Sequence, residues 1–346
     1  MKNKTKGLFD EQFRLDKLSM QSDPLVRLRK HIDFEIFRKP LDNYLEKGKD
    51  RSQGGRPRFD YVLMFKILIL QRYYNLSDDN TEYAILDRLS FMRFLGLTIA
   101  DSVPDAKTIW NFKNELSKGN LVQELFNLLD KTLEKKRVIL HKGKMVDASI
   151  VEVPIQRNSR EENSQLKEGN IPDDWKDKPA KLSQKDVDAK WTTQKGKHFY
   201  GYKDHVKADI KTKLITGYQV TPANVREGDV LADLLDSKDC EQKLYADKAY
   251  FGEENEKLLK KKRVISRIHE KGCRYQKLTK KQIANNTRKS KTRARIEHIF
   301  GFISNSMNRM YIRVRSLIKA KTTIGLMNIT YNLFRLTQLN VNLKQR

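Results

Sequence analysis

Asp147 lies inside a strand-like run, Gly143-Lys-Met-Val-Asp-Ala-Ser-Ile-Val-Glu-Val153, which Pro154 ends. A charge in a central strand is costly unless it is paired, hydrogen-bonded or set on a metal. Asp247 closes a second short run, Leu244-Tyr-Ala-Asp247, and Glu297 lies in Lys291-Thr-Arg-Ala-Arg-Ile-Glu297. Singly, each acid is most simply a carboxylate paired with one of the many Lys and Arg residues. As a set they suit phosphoryl chemistry. Three carboxylates about 5 Å apart repel by roughly 3 kcal/mol per pair at an effective dielectric near 20, so they need protons or divalent cations. Oxygen donors select Mg²⁺ or Mn²⁺. Two such ions activate an attacking hydroxyl and stabilise the leaving oxygen of an in-line phosphodiester displacement.

The elements that would position these acids follow from periodicity. Strands are expected around Asp147, over 198–209, over 213–220, over 243–246 ending at Asp247, and over 263–268. Helices are expected over 227–235, 251–262 and 322–339, with another beginning near Ser290 and running through Ile303. Three strands, helix, strand, helix, strand, then helices is the order of an RNase H-like α/β domain. Were the first and fourth strands adjacent and parallel, Asp147 and Asp247 would emerge at one sheet edge, where open α/β sheets place their sites. Ile296, Ile299, Phe300 and Ile303 would form a buried helix face with Glu297 at its edge and Arg293 four residues before it.

Before this domain the pattern is helical. Phe59–Leu76 is a dense apolar helix, Ser77 can cap the next, and Asp105 can cap one in which Ile109, Phe112 and Leu116 share a face and Gly119 follows as a stop. The Arg88–Leu97 stretch followed by Asp105–Leu116 has helix-turn-helix spacing, which would offer Lys107, Thr108, Asn111, Lys113 and Asn114 to DNA. An ordinary helical bundle with a polar outer face is the competing reading. Arg51-Ser-Gln-Gly-Gly-Arg56-Pro-Arg58 reads equally as a solvated linker or as an arm over phosphates. The expected division is an N-terminal arm and first helix over 1–50, with residues 1–24 mobile, a helical DNA-binding domain over 51–137, and a catalytic domain over 138–346. A flexible polar insertion at about 156–197, holding Trp175 and Trp191, interrupts the last.

Lys and Arg number 70 against 44 acids, a formal charge of +26 that calls for a polyanionic partner. No apolar run is long enough to span a bilayer, which favours nucleic acid over a membrane. The isolated Cys240 and Cys273 have no metal-ligand spacing, and Met1–Asp10 lacks a signal peptide's apolar core, so a reducing cytoplasm is the expected compartment. His205 and His298 are left off the metal list, as polar neighbours rather than ligands.

Val146-Asp147-Ala-Ser149, Tyr245-Ala-Asp247-Lys-Ala-Tyr250 and Arg293-Ala-Arg-Ile-Glu297 resemble the three acidic motifs of bacterial insertion-sequence DDE transposases, nearest the branch typified by insertion sequence five. Gly54-Gly-Arg56-Pro57, Val103-Pro-Asp105-Ala-Lys107-Thr-Ile109 and Tyr200-Gly-Tyr-Lys203-Asp-His205 extend the resemblance over most of the chain. It implies an RNase H-like mixed sheet with flanking helices, behind an all-helical DNA-binding domain. It also implies two Mg²⁺ or Mn²⁺ ions on Asp147, Asp247 and Glu297, Arg293 near phosphate, DNA as partner, and a dimer on DNA. Arg56, Arg58, Lys107, Lys113 and Lys203 join Arg293 as candidate DNA contacts. The sequence departs from the family signature at Ser290 and Ser304, where a Tyr and a Lys are usual. The alternatives are an RNase H-like nuclease without strand transfer and a non-catalytic DNA-binding protein.

Overall fold

The computed structural model describes residues 7, 9–20, 23–47, 57–272, 277–339, 341 and 343. Two units divide the chain, one of residues 1–128 with 329–346 and one of residues 129–328.

In the first unit, α1 (Asp10–Met20), α2 (Pro24–His31), α3 (Arg38–Leu45), α4 (Tyr61–Tyr73), α5 (Asp78–Asp87), α6 (Leu89–Leu95) and α7 (Ala106–Lys118) follow one another. The stretch expected to be mobile therefore contains α1. A single buried-side arginine fastens it: Arg93 donates to the Leu15 carbonyl (3.0 Å) and Ser19 Oγ (2.8 Å) and pairs with Asp23 (3.0 Å). The helix starts obey local chemistry. Asp60, Ser77 and Asp105 accept from the third backbone N–H of α4, α5 and α7. Ile109, Phe112 and Leu116 are buried, as their spacing predicts. Gly119 follows the end of α7 as expected, and a Cβ there would lie 2.0 Å from Tyr44 Oη. α7 packs chiefly on α5 and α4 rather than on α6.

The second unit begins within α8 (Leu121–Lys135) and is built on β1 (Lys144–Glu152). Next come α9 (Arg160–Lys167), α10 (Asp173–Lys176), α11 (Pro179–Ser183), β2 (Lys190–Gln194), β3 (Lys197–Asp209), β4 (Ile215–Pro222), α12 (Leu231–Leu234), β5 (Lys243–Ala246), α13 (Glu253–Lys261) and β6 (Ile265–Ile268). The chain then forms α14 (Lys280–Arg293), α15 (Glu297–Ser306) and α16 (Leu317–Gln338), which runs on into the first unit. The sheet order is β2-β3-β1-β5-β6, with β4 also on β3. β1 runs antiparallel to β3 and parallel to β5, and β5 parallel to β6. Close pairing of β1 and β3 needs Gly201, at φ +152°, since a Cβ there would meet the Val151 carbonyl at 2.2 Å. On one face Val146, Leu231, Leu234, Leu244, Ala246, Tyr250, Leu259 and Ile268 make the core.

Residues 156–197, expected to be a flexible polar insertion, carry three short helices and the added strand β2. Trp175 is fully buried and organises them. Its Nε1 donates to Glu162 at 2.6 Å, and Lys185 lies 4.9 Å from the ring centre. One indole is enough to anchor short helices that composition does not advertise. Trp191 lies on β2, 45% exposed, 5.2 Å from the Tyr200 ring.

Asp204 on β3 is fully buried and accepts from Asn328 Nδ2 at 3.1 Å, while its Oδ2 and Asn328 Oδ1 have no hydrogen-bond partner. Burial pushes its carboxyl up to about 7. One proton on Oδ2, donated to Asn328 Oδ1, would satisfy both. The unfolded carboxyl ionises near 3.9, so the folded state's advantage is complete below that and is lost as pH rises towards 7. We expect Asp204→Asn, which can form the same reciprocal pair at every pH, to gain stability over wild type between pH 4 and 7. The gain, on the order of 4 kcal/mol, is to be measured by denaturant unfolding at both pH values. A pH-independent difference would refute it.

Candidate active site

β1 meets β5 through only two residue pairs, Lys144 with Leu244 and Met145 with Tyr245. At its far end Glu152 exchanges backbone hydrogen bonds with Met310 and Ile312, both 3.0 Å. Between these two attachments the strand edge is open, and Asp147 sits in the opening. Asp247 stands two residues past the last β1–β5 pair on its own strand, as Asp147 does on β1. The parallel arrangement expected from the sequence is thus observed, and the two acids stand at equivalent positions of adjacent strands, Asp147 within β1 and Asp247 just past the end of β5.

The two aspartates are held alike. Asp147 Oδ1 accepts from the Ala148 N–H at 3.0 Å, and Asp247 Oδ1 from the Lys248 N–H at 2.7 Å. Asp147 Oδ2 accepts from Arg293 at 2.6 Å, and the same guanidinium donates to Glu297 at 3.1 Å. Arg293 thereby joins the first and third acids. The pairing expected for Asp147 is observed, and the guanidinium offsets the repulsion between the two carboxylates it joins. Burial pushes the Asp147 carboxyl up to about 6, with Arg293 opposing and the Glu227 and Asp247 charges adding to the rise.

The helix carrying the third acid differs from expectation. α14 begins at Lys280, ten residues before the expected start, and ends at Arg293. A tight turn over Ala294–Ile296 follows, and α15 begins at Glu297. Arg295 pins this break by donating to the Ile210 carbonyl at 3.0 Å. Ile296, Ile299 and Ile303 are buried, whereas the Glu297 side chain is 64% exposed.

Three further side chains belong to this neighbourhood. Glu227, in the turn before α12, lies 3.7 Å from Lys203 Nζ, and burial raises its carboxyl, aided by Asp247. Tyr250 is fully buried and its hydroxyl has no hydrogen-bond partner, and the Glu227, Asp147 and Asp247 charges join burial in keeping it a neutral phenol. His269 follows β6 and stands 3.4 Å from Asp247; burial lowers it, with Asp247 opposing. Tyr250 closes the second acidic motif read in the sequence and stands three residues from Asp247, whereas no sequence signal marked Glu227 or His269, which reach the acids only through the tertiary fold.

The candidate DNA contacts are placed differently from one another. Lys203 is turned inward, donating to the Val225 carbonyl at 2.9 Å and standing 3.7 Å from Glu227. Lys113 is likewise engaged, by Asp78. Lys107 is exposed and lies 4.0 Å from the centre of the exposed Trp110 ring. Arg58 is exposed and lines a cleft of about 320 Å³ with Tyr61, Thr108, Asn111 and Glu115. Arg56 lies outside the described residues. His205 is buried and bonded to Thr221 Oγ1 at 2.8 Å, and burial lowers it to about 4.

All the acids offer oxygen, the donor type that hard divalent cations take. The unpartnered Tyr250 hydroxyl beside them adds one more oxygen. Among the described residues no three His, Cys, Asp or Glu side chains stand gathered as a metal cage, which agrees with Asp147 and Glu297 being turned to Arg293. No helix among the described residues is long and apolar enough to cross a membrane.

A mixed, partly parallel sheet with carboxylates at equivalent positions of two adjacent parallel strands, preceded by a helical unit, defines an α/β protein of the RNase H-like class. Residues 142–333, more than half of the chain, match the Transposase DDE domain family, and residues 13–115 match the Transposase domain (DUF772) family. The chain belongs to the Transposase DDE domain family and is a DDE transposase. Among solved structures it is similar to a piggyBac transposase, seen by cryo-EM in a synaptic complex with hairpin DNA. The TM-score is 0.43 at 11% identity, over 93% of this chain and 77% of that one.

Proposed function

We propose that this transposase cuts DNA at the terminal repeats of an insertion sequence and joins the freed 3′-hydroxyl ends to target DNA. Asp147, Asp247 and Glu297 serve as its catalytic acids and Arg293 as its phosphate ligand. The observation that carries this is the single guanidinium shared by Asp147 and Glu297 beside the strand that presents Asp247. A cation bound by two carboxylates marks the point where positive charge is wanted.

The three acids would hold Mg²⁺ or Mn²⁺, two ions in all. Bound there, such ions lower the pKa of the attacking hydroxyl and neutralise the leaving oxygen. The chain's own part is to fix Oδ1 of each aspartate through the following N–H and to set Arg293 against the phosphate. Residues 138–346 form the catalytic part, and residues 51–137 bind DNA through Arg56, Arg58 and Lys107. The protein acts as a dimer on DNA, in the bacterial cytoplasm at the nucleoid.

The deciding experiment gives the full-length protein pre-cut element ends, a target plasmid and Mg²⁺. Joined product is expected, and none with EDTA. Cleavage of uncut ends with no joining of pre-cut ones would make the protein a nuclease. Salt-dependent binding indifferent to metal, with no cleavage, would make it a DNA-binding protein alone.

A further inference from the structure

α14 reaches the site without an apolar anchor, since none of its residues is buried. Polar contacts hold it to the segment leaving β6. Asn286 accepts from the Glu270 N–H and donates to the Glu270 carbonyl, both at 3.0 Å. Lys289 Nζ donates to the Ile268 carbonyl at 2.7 Å. Between these clamps stands His269, 9% exposed, with Nε2 3.3 Å from Ser290 Oγ and Nδ1 3.4 Å from Asp247 Oδ1. Ser290 is one of the two positions at which this sequence leaves the family signature, so the hydroxyl that replaces the usual Tyr has a partner here.

We propose that His269 is a positioning residue for Asp247, and that Ser290 sets the ring. The Ser290 proton has two acceptors within reach, Nε2 and the Asn286 carbonyl at 2.9 Å. Pointed at Nε2, it leaves the neutral ring's own proton on Nδ1, facing Asp247 Oδ1. Together with the Lys248 N–H, that donor fixes Oδ1 and turns Oδ2 outward as the ligand oxygen. The same contact couples β5 to α14, and so the second acid to the helix that delivers Arg293. Partners of this kind behind a metal ligand typically alter affinity about 10–100-fold when removed.

This rests on the reading of Asp247 as a metal ligand, and the test separates the two. Mn²⁺ is titrated calorimetrically into the full-length wild type and into His269→Ala, His269→Asn, His269→Gln, Ser290→Ala and Asp247→Asn, with a circular-dichroism melt on each. Asn carries its side-chain nitrogen close to the position of Nδ1, whereas Gln reaches towards that of Nε2. His269→Ala is expected to bind Mn²⁺ about 10–100-fold more weakly. Asn should restore most of that loss, Gln should not, and Ser290→Ala should give a smaller loss. If Asp247→Asn abolishes Mn²⁺ binding while His269→Ala binds within about twofold of wild type, the positioning role is overturned and the ligand reading stands. Rescue by Gln but not by Asn overturns it as well, and that comparison decides the matter should His269→Ala fail to fold. If Asp247→Asn binds Mn²⁺ like wild type, the ligand reading falls and this inference with it.

Discussion

Asp147→Asn is expected to abolish DNA cleavage while leaving the protein folded and bound to its DNA. The amide keeps the acceptor that takes the Ala148 N–H and keeps the size of the side chain. It removes a charge that burial already disfavours, as the rise of the carboxyl to about 6 records. Stability should therefore hold or improve. Losing an anionic oxygen that would hold a divalent cation forfeits several kcal/mol of the transition-state stabilisation such a cation supplies, on the order of 10³-fold or more in rate. Were Asp147 only the structural partner of Arg293, cleavage would persist in the variant although the pair at 2.6 Å is lost. Single-turnover cleavage of a labelled element end, with a binding titration and a thermal melt on the same preparation, distinguishes these results.

Lys207→Met should be strongly destabilising. Lys207 is buried on β3, opposite Gly217 on β4, whose missing side chain leaves room for the lysine stem. Its Nζ donates to Asp236 at 2.9 Å and to Asp239 at 2.7 Å, and Asp239 is as buried as the lysine. A buried ion pair adds little over apolar packing, but removing one partner strands the other charge, which costs about 3–5 kcal/mol. The double variant Lys207→Met with Asp239→Asn should recover much of that loss. The amide no longer needs a counter-ion and can still accept the Asp236 N–H that Asp239 takes at 3.0 Å. Urea unfolding of the wild type, both single variants and the double variant gives the coupling. A cost below about 1 kcal/mol for Lys207→Met would mean that the stranded charge is solvated.

Arg293 connects the site to the chain's strong positive charge. Its guanidinium neutralises two carboxylates, and on the proposed reading it turns to a phosphate when divalent cations hold them, because its fork geometry fits either partner. Its position at the last residue of α14, before the pinned break, keeps it within reach of both Asp147 and Glu297.

What the sequence determined by itself was local. The β1 run, the aspartate closing β5, the caps at Ser77 and Asp105 and the buried stripe of α7 each depend on a few consecutive residues, through alternation, capping or 3.6-residue spacing. Tertiary structure decided everything that depends on which strand lies beside which. His269 comes near Asp247 only because β6 pairs with β5, and Glu227 only because its turn packs against residues 248–250. Lys203 looks like a surface cation in sequence, yet the turn before α12 folds Glu227 over it. The break between Arg293 and Glu297 has no proline or glycine to announce it; a hydrogen bond from Arg295 to a carbonyl 85 residues away holds it. Residues 156–197 have the composition of a loop and are organised by one buried indole. Short-range pattern carries no record of such contacts, because they form only after chain segments far apart in sequence have been brought side by side.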